Sequence, residues 1–86
     1  MIVVELAFTP SDARLAARPA HRTRLEALHA DGTLLAAGPW ADDHGALLVF
    51  AAARTVVDRV LTEDPYYSTD GVDVVSIEAW SPIVGP

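Results

Sequence analysis

The sequence predicts a small α+β domain whose strands and helices follow each other in the order βαββαβ. Three observations support this order: four segments are rich in β-branched or other apolar residues, two segments between them show helical spacing, and Gly or Pro marks the junctions. A chain of 86 residues has the length of one domain, which we place over residues 1–86.

The first half of the chain predicts a strand followed by a helix. Residues 2–8 are β-branched and aromatic and therefore favour a strand. Because a proline inside a helix removes a hydrogen bond, Pro19 leads us to expect a loose turn over residues 11–17. The helix would then cover residues 18–30, with the proline in its first turn, and Gly32 would follow its end.

The second half predicts a β-hairpin, a second helix and a final strand. A Gly-Pro pair closes the second strand, and only a short turn separates it from the third. The second helix must end near Asp64, because the residue before Pro65 avoids the α region. The predicted bounds are 33–39 and 46–51 for the hairpin strands, 41–45 for their turn, 54–62 for the helix, 66–71 for a loop and 72–80 for the last strand.

This order of elements is typical of the ferredoxin-like arrangement, a four-stranded antiparallel sheet with both helices on one face. The predicted strands are apolar on both sides; in the first, Val3 and Ala7 lie opposite Val4 and Leu6. Strands of this kind have both faces covered. We expect the helices to cover one face and a second subunit the other, so that the chain forms a homodimer or a higher homo-oligomer.

Composition argues against several classes of function. The net charge is −6, and all six basic residues are arginines, four of them between Arg14 and Arg24. An acidic chain without a broad basic face is a poor nucleic-acid binder, although the arginine cluster can attract an anionic substrate. The absence of cysteine excludes disulfides and thiol nucleophiles. With no stretch near the ~18 apolar residues of a membrane span and no signal-peptide pattern, we expect a soluble cytoplasmic protein without membrane contact.

His21 and Asp64 are the candidate catalytic residues. His21, Leu25 and Leu28 follow the i, i+4, i+7 spacing of an apolar helical stripe, so the histidine is expected to face the interior. If the fold brings Asp64 to it, the carboxylate can orient the imidazole, and the histidine can transfer a proton near neutral pH. Each residue also has a purely structural interpretation. His21 can be a partly buried histidine that hydrogen-bonds to the backbone, and Asp64 can simply start an Asp-Pro turn.

Four further residues are candidates for substrate binding. Arg18, one turn before the histidine, can bind an anionic group or only solvate the start of the helix. Tyr66 can wall a pocket for an aromatic ligand or be an ordinary rim aromatic. Gly38 and Pro39 permit close backbone approach or merely end a strand.

No metal and no organic cofactor are expected. Asp42, Asp43 and His44 have the residue types of metal ligands, but adjacent side chains in a turn rarely converge on one ion. No glycine-rich phosphate loop and no serine nucleophile elbow are present.

These segments together resemble a known family. The strings Arg18-Pro19-Ala20-His21, Leu34-Leu35-Ala36-Ala37-Gly38-Pro39 and Asp64-Pro65-Tyr66, in this order and spacing, are similar to the YciI-like (YCII-related) family over nearly the whole chain. The resemblance implies a ferredoxin-like fold that forms a dimeric α+β barrel, and an active site around a histidine and an aspartate, here His21 and Asp64. One relative is a dehydrochlorinase of chlorinated hydroquinone breakdown, which implies lyase-type proton chemistry. Residues 40–45 form a shorter connection than in longer members, which leaves the substrate class open.

Three functions agree with the sequence. The leading hypothesis is a cofactor-independent lyase or isomerase in which His21, oriented by Asp64, acts as general acid and base on a small, aromatic or anionic substrate. The second is a non-catalytic small-ligand-binding or regulatory subunit on the same fold. The third is a cofactor-free monooxygenase or isomerase, which is an analogy at the level of the fold alone.

Overall fold

The computed structural model describes residues 1–85 and contains a four-stranded antiparallel sheet with two α-helices. The elements are β1 (Ile2–Phe8), α1 (Asp12–Ala30), β2 (Leu34–Pro39), β3 (Gly45–Phe50), α2 (Arg54–Glu63) and β4 (Val72–Ala79). The order βαββαβ confirms the predicted ferredoxin-like α+β fold. Pro86, the last residue of the domain predicted over residues 1–86, lies outside the described residues.

The strands lie in the order β2-β3-β1-β4, and every neighbouring pair is antiparallel. Strand β1 is therefore central, and its Val4 lies opposite Leu48 of β3 and Ile77 of β4. No helix within residues 1–85 combines the length and the apolar composition that crossing a bilayer requires.

The hydrophobic core lies between one face of the sheet and the two helices. Val4 and Leu6 of β1 are buried together with Leu48 and Phe50 of β3, and Val57 of α2 packs into the same cluster. Full burial of a side chain of this size contributes about 1.5–3 kcal/mol. These contacts hold α2 on the core face of the sheet, and α1 packs there through partly buried leucines.

The opposite face of the sheet is also apolar. Val3 of β1 and Leu47 and Val49 of β3 alternate with the core residues along their strands and are only partly buried. With the exposed Trp80 they line an apolar groove that no part of the described chain covers. The helices therefore cover one apolar face and leave the other open.

Helix α1 differs from its predicted bounds. It begins at Asp12 and runs without a break through Pro19, so the loose turn expected over residues 11–17 is wrong. A proline at this position deprives the carbonyl of Leu15 of its helical partner. Both Pro19 and Leu15 are exposed, so that carbonyl lies on the solvent side of the helix and the loss is tolerated there.

Tertiary contacts hold the first turns of α1. Ser11 caps the helix by accepting a hydrogen bond from the backbone N–H of Arg14, and its hydroxyl donates to the carbonyl of Asp70 at 2.8 Å. The Arg14 guanidinium lies over the Phe8 ring, 4.2 Å from the ring centre. These contacts offset the local cost of Pro19, which is about 3 kcal/mol for an interior proline.

The junction after α2 fixes the position of Asp64. The helix ends at Glu63, and Asp64 follows with extended backbone (φ −89°, ψ 114°), as a residue before proline requires. The predicted loop after it begins with a short 3₁₀ helix (Pro65–Ser68), which Asp64 caps by accepting a hydrogen bond from the Tyr66 N–H at 3.0 Å. Asp64 is therefore held by backbone structure on both sides.

The connection between β2 and β3 is a tight turn. The Trp40 N–H donates to the Gly45 carbonyl and the Asp43 N–H donates to the Trp40 carbonyl, both at 2.9 Å. Asp43 adopts a left-handed backbone (φ 58°), which Asp and Asn tolerate better than most residues. A side chain at Gly45 would overlap the carbonyl oxygen of Leu6, so close packing of the turn against β1 requires glycine.

Candidate active site

His21 and Asp64 form a buried pair between the two helices. His21 lies in the middle of α1 and Asp64 at the end of α2, 43 residues apart in the sequence. The His21 Nδ1 lies 2.8 Å from the Asp64 Oδ2, and each residue is only 6% exposed. The fold thus brings together the two residues that the sequence analysis singles out for catalysis.

The Asp64 carboxylate accepts three N–H hydrogen bonds. Its Oδ2 accepts from His21, and its Oδ1 accepts from the Tyr66 backbone at 3.0 Å and from the Arg24 guanidinium at 3.1 Å. A carboxylate accepts and does not donate, so the His21 proton in this contact is on Nδ1. The neutral histidine therefore carries its lone pair on Nε2.

Aromatic rings hold the imidazole plane of His21. The ring stacks on Tyr66 with 3.8 Å between the ring centres and 7° between the planes. Tyr67 meets it edge-on, with 5.2 Å between centres and an interplanar angle of 89°. No residue among 1–85 hydrogen-bonds the Nε2, and that atom is not sealed from solvent. The pair therefore presents one fixed, free nitrogen.

Burial lowers the pKa of His21 below its ordinary value, because the charged form loses its hydration. The hydrogen bond and the negative charge of Asp64 oppose this effect, while the nearby positive charges of Arg22 and Arg24 add to it. The balance favours a neutral imidazole at pH 7, which is the protonation state of a base. Burial also raises the pKa of Tyr67, with smaller contributions from Asp64 and Tyr66, so its phenol stays neutral.

His21 lines a cavity of about 320 Å³ on the core side of the sheet. The four predicted substrate-binding residues line the same cavity: Arg18, Gly38, Pro39 and Tyr66. Asp64 is not in the lining and contacts the imidazole away from it. A Cβ on Gly38 would meet no atom within 4 Å, so close packing does not require glycine there. The volume lies at the small end of known ligand pockets, about 300–1,000 Å³, which suits a small molecule.

The profile of the YCII-related domain matches residues 1–81, from β1 through the end of β4. The chain belongs to the YCII-related domain family. The matched region includes His21, Asp64 and all of the residues that line the cavity. No curated protein is similar enough to the chain to count as a relative.

Arg14 and Asp43 also line the cavity of this YCII-related domain, although the sequence analysis did not assign them to the site. Arg14 is 6% exposed, and its Nη2 donates to the Asp43 Oδ2 at 3.0 Å. Hydrogen bonds to the Tyr66 hydroxyl and to Asp43 raise the pKa of Arg14, so it stays protonated. The sequence does contain a pattern that places Arg14 beside the site, because Arg14, Arg18 and His21 follow the i, i+4, i+7 spacing of one helical stripe. The loose turn expected over residues 11–17 separated Arg14 from this stripe.

The other residues of the short turn are directed elsewhere. Asp42 and His44 are exposed and pair with each other, with 3.2 Å between the Asp42 Oδ2 and the His44 Nδ1. The His44 backbone N–H lowers the pKa of Asp42, with a smaller contribution from the His44 side chain. Within residues 1–85, no three His, Asp or Glu side chains are grouped as metal ligands.

Proposed function

We propose that this YCII-related domain is a small cofactor-independent enzyme in which His21 is the general base and acid. The observation that carries the proposal is the contact of 2.8 Å between its Nδ1 and Asp64, which leaves Nε2 free in a residue that lines the cavity. Asp64 acts through the imidazole by fixing its tautomer and orientation and by stabilising the imidazolium that forms. It is a positioning residue in this reaction.

The proposed reaction is a proton transfer to and from carbon, in which one base acts and no protein nucleophile is used. The Nε2 of His21 removes a proton from a C–H that a neighbouring carbonyl or similar group acidifies. In an elimination, the electron pair of that C–H bond forms a C=C bond, the leaving group departs with the electron pair of its bond to carbon, and the imidazolium then releases its proton to water. In an isomerisation, the imidazolium returns the proton to another carbon. Proton transfer of this kind contributes about 10²–10⁴-fold, which suits an already activated substrate.

The lining of the cavity supports a small substrate with an apolar body and an anionic end. Leu6, Phe8 and Leu48 contribute apolar lining, and Arg18 contributes a positive charge. The flat Tyr66 ring continues these walls to the base, which suits an aromatic or unsaturated body.

A second copy of the chain is proposed as the cover of the open face of the sheet. That face carries Val3, Leu47 and Val49 with the exposed Trp80 beside them. An apolar surface of this kind on a chain of 86 residues favours burial against another subunit. We expect a homodimer built sheet against sheet, which leaves the cavity on the helix side of each subunit.

The test is turnover by a His21→Asn variant. Activated small acids with a leaving group or a double bond next to an acidic C–H are incubated in D₂O, and NMR follows elimination, isomerisation and deuterium uptake. We expect the wild type to convert at least one compound and His21→Asn to lose about 10²–10⁴-fold of that rate. His44→Asn, at an exposed histidine outside the cavity lining, is the control and should keep the wild-type rate.

Two results would contradict the proposal. A His21→Asn variant that keeps its rate would remove the histidine from the chemistry. Compounds that bind in the cavity but are never converted would instead favour the non-catalytic ligand-binding subunit, for which Asp64→Asn should have little effect on affinity.

A further inference from the structure

Arg14 and Arg18 line the cavity and form a site that the base chemistry does not use. Arg14 and Arg18 are one helical turn apart on the stripe that also carries His21. Three arginines line the cavity against two carboxylates, in a chain whose net charge is −6. This local excess of positive charge therefore runs against the charge of the protein as a whole.

Arg14 has hydrogen-bonding capacity that the protein leaves unused. It is 6% exposed, and its Nε is buried without a hydrogen-bond partner among residues 1–85. Its Nη1 lies 3.5 Å from the Tyr66 hydroxyl, which is long for a hydrogen bond. Leaving a buried donor unpaired is costly. Arg14 lines the cavity with an unpaired donor, which favours a bound ligand that accepts hydrogen bonds from the guanidinium.

The group that occupies the arginines in this structure is itself a carboxylate. The Asp43 Oδ2 lies 3.0 Å from the Arg14 Nη2 and 3.8 Å from the Arg18 Nη1. A guanidinium matches the planar fork of a carboxylate and binds it through two parallel hydrogen bonds. Asp43 uses only one oxygen and leaves the Nε of Arg14 free, so it fills the position incompletely.

Asp43 is also placed so that it can leave. Its side chain is 44% exposed, and it lies on the tight turn between β2 and β3. Rotation of the side chain would return its carboxylate to water without burying an unpaired charge. An incoming carboxylate would then take its place on Arg14 and Arg18, exchanging one anion for another.

We propose that Arg14 and Arg18 form the subsite for the carboxylate of a small organic acid, and that Asp43 is a displaceable internal counter-ion. This inference rests on the proposed function and names its substrate class. Tyr66 joins the two parts of the site, because its hydroxyl is near Arg14 and its ring stacks on His21. A carboxylate held by Arg14 therefore directs the body of the acid along Tyr66 towards the base.

The test uses benzoate as the probe and benzamide as its neutral counterpart of nearly the same shape. NMR titration of the ¹⁵N-labelled chain measures both affinities and follows the Nε–H signals of the arginines. We expect benzoate to bind at least about tenfold more tightly than benzamide, since a charge-assisted pair is the stronger contact. Equal affinities for the two probes would overturn the proposal.

Substitutions give the specific prediction. Asp43→Asn removes the competing carboxylate and is compatible with the left-handed backbone, so benzoate should bind several-fold more tightly. Arg18→Gln should weaken benzoate several-fold, and Arg14→Lys, which keeps the charge and loses the fork, should weaken it about tenfold. Arg54→Gln is the control, because Arg54 pairs with Asp58 on the exposed side of α2 and does not line the cavity.

If Asp43→Asn binds benzoate no more tightly than the wild type, the exchange of Asp43 for an incoming carboxylate is refuted, even if Arg14→Lys fails to fold. If inorganic phosphate binds more tightly than benzoate and with the same dependence on Arg18, the assignment of the subsite to a carboxylate is overturned. The two proposals can also fail separately. If carboxylates bind but no conversion depends on His21, the carboxylate subsite stands and the proposed enzyme activity is refuted. If conversion occurs but does not change with substitution of Arg18 or Asp43, the activity stands and the subsite is refuted.

Discussion

Asp64→Asn tests the role of the buried carboxylate most directly, because the change preserves the shape of the side chain and removes its charge. The amide oxygen of Asn can still accept the Tyr66 N–H and cap the 3₁₀ helix. Its other end is then an NH₂ group, which can only donate. This NH₂ group faces the His21 Nδ1, which must therefore accept a hydrogen bond. The proton of the neutral imidazole must then be on Nε2.

The expected loss of stability follows from the contacts that the charge supports. The hydrogen bond to His21 is buried and charge-assisted, and such bonds contribute about 1.5–3 kcal/mol, whereas the neutral bond from the Asn amide that replaces it contributes about 0.5–1.5 kcal/mol. The pair with Arg24 is worth less, about 0.2–1 kcal/mol, because that arginine is half exposed and water screens it. We therefore expect the free energy of unfolding to fall by about 1–2.5 kcal/mol. For a domain of this length, that corresponds to at least about 4 °C in Tm.

Two measurements check the prediction at matched protein concentration. Urea unfolding at pH 7 compares Asp64→Asn with Asp58→Asn, whose exposed i, i+4 pair with Arg54 should contribute no more than about 0.5 kcal/mol. Imidazole ¹⁵N shifts report the tautomer of His21, expected as Nδ1–H in the wild type and Nε2–H in Asp64→Asn. The reasoning is refuted if both variants lose the same stability, or if the proton of His21 remains on Nδ1 in Asp64→Asn.

Two further predictions concern pH and assembly. Because burial lowers the pKa of His21 in the folded chain, its contribution to stability is present above the unfolded value of about 6.5 and is lost as pH falls through the folded pKa. Urea unfolding between pH 8 and pH 5 should show this loss of stability in the wild type and a smaller loss in His21→Asn. Parallel plots of unfolding free energy against pH for the two proteins would contradict the prediction. In sedimentation experiments the wild type should be a dimer that Val49→Lys shifts towards monomer. Leu15→Lys, on the outer side of α1, should leave the dimer intact, and a monomeric wild type would remove the argument from the open sheet face.

The strands and the end of α2 could be predicted because their causes are local. Residues 2–8 form β1 as predicted, and the Asp64-Pro65 pair ends α2 one residue later than the prediction over 54–62. The backbone restriction that proline imposes on the residue before it acts within two residues. It therefore holds in any fold, and it places Asp64, one half of the candidate pair, at the end of α2.

The start of α1 could not be predicted by the same kind of rule. The cost of Pro19 is local, but the contacts that offset it come from distant parts of the chain, such as Phe8 beneath Arg14 and Asp70 beside Ser11. Proline also costs less where the carbonyl it leaves unpaired faces water, and the side of the helix that faces water depends on the fold. The loose turn expected over residues 11–17 left out the first turns of α1, so Arg14 was not placed on the helical stripe of His21.

Asp64 and Asp43 differ in burial and in hydrogen bonding, in line with the two roles proposed for them. Asp64 is almost fully buried and held by three donors, so moving it would leave a buried histidine and a backbone N–H unpaired. Asp43 has one short contact, with Arg14, and is nearly half exposed, so water can replace what it loses. The first arrangement supports the proposal that Asp64 holds the imidazole of His21 in one orientation. The second supports the proposal that Asp43 neutralises Arg14 and Arg18 until an organic acid displaces it.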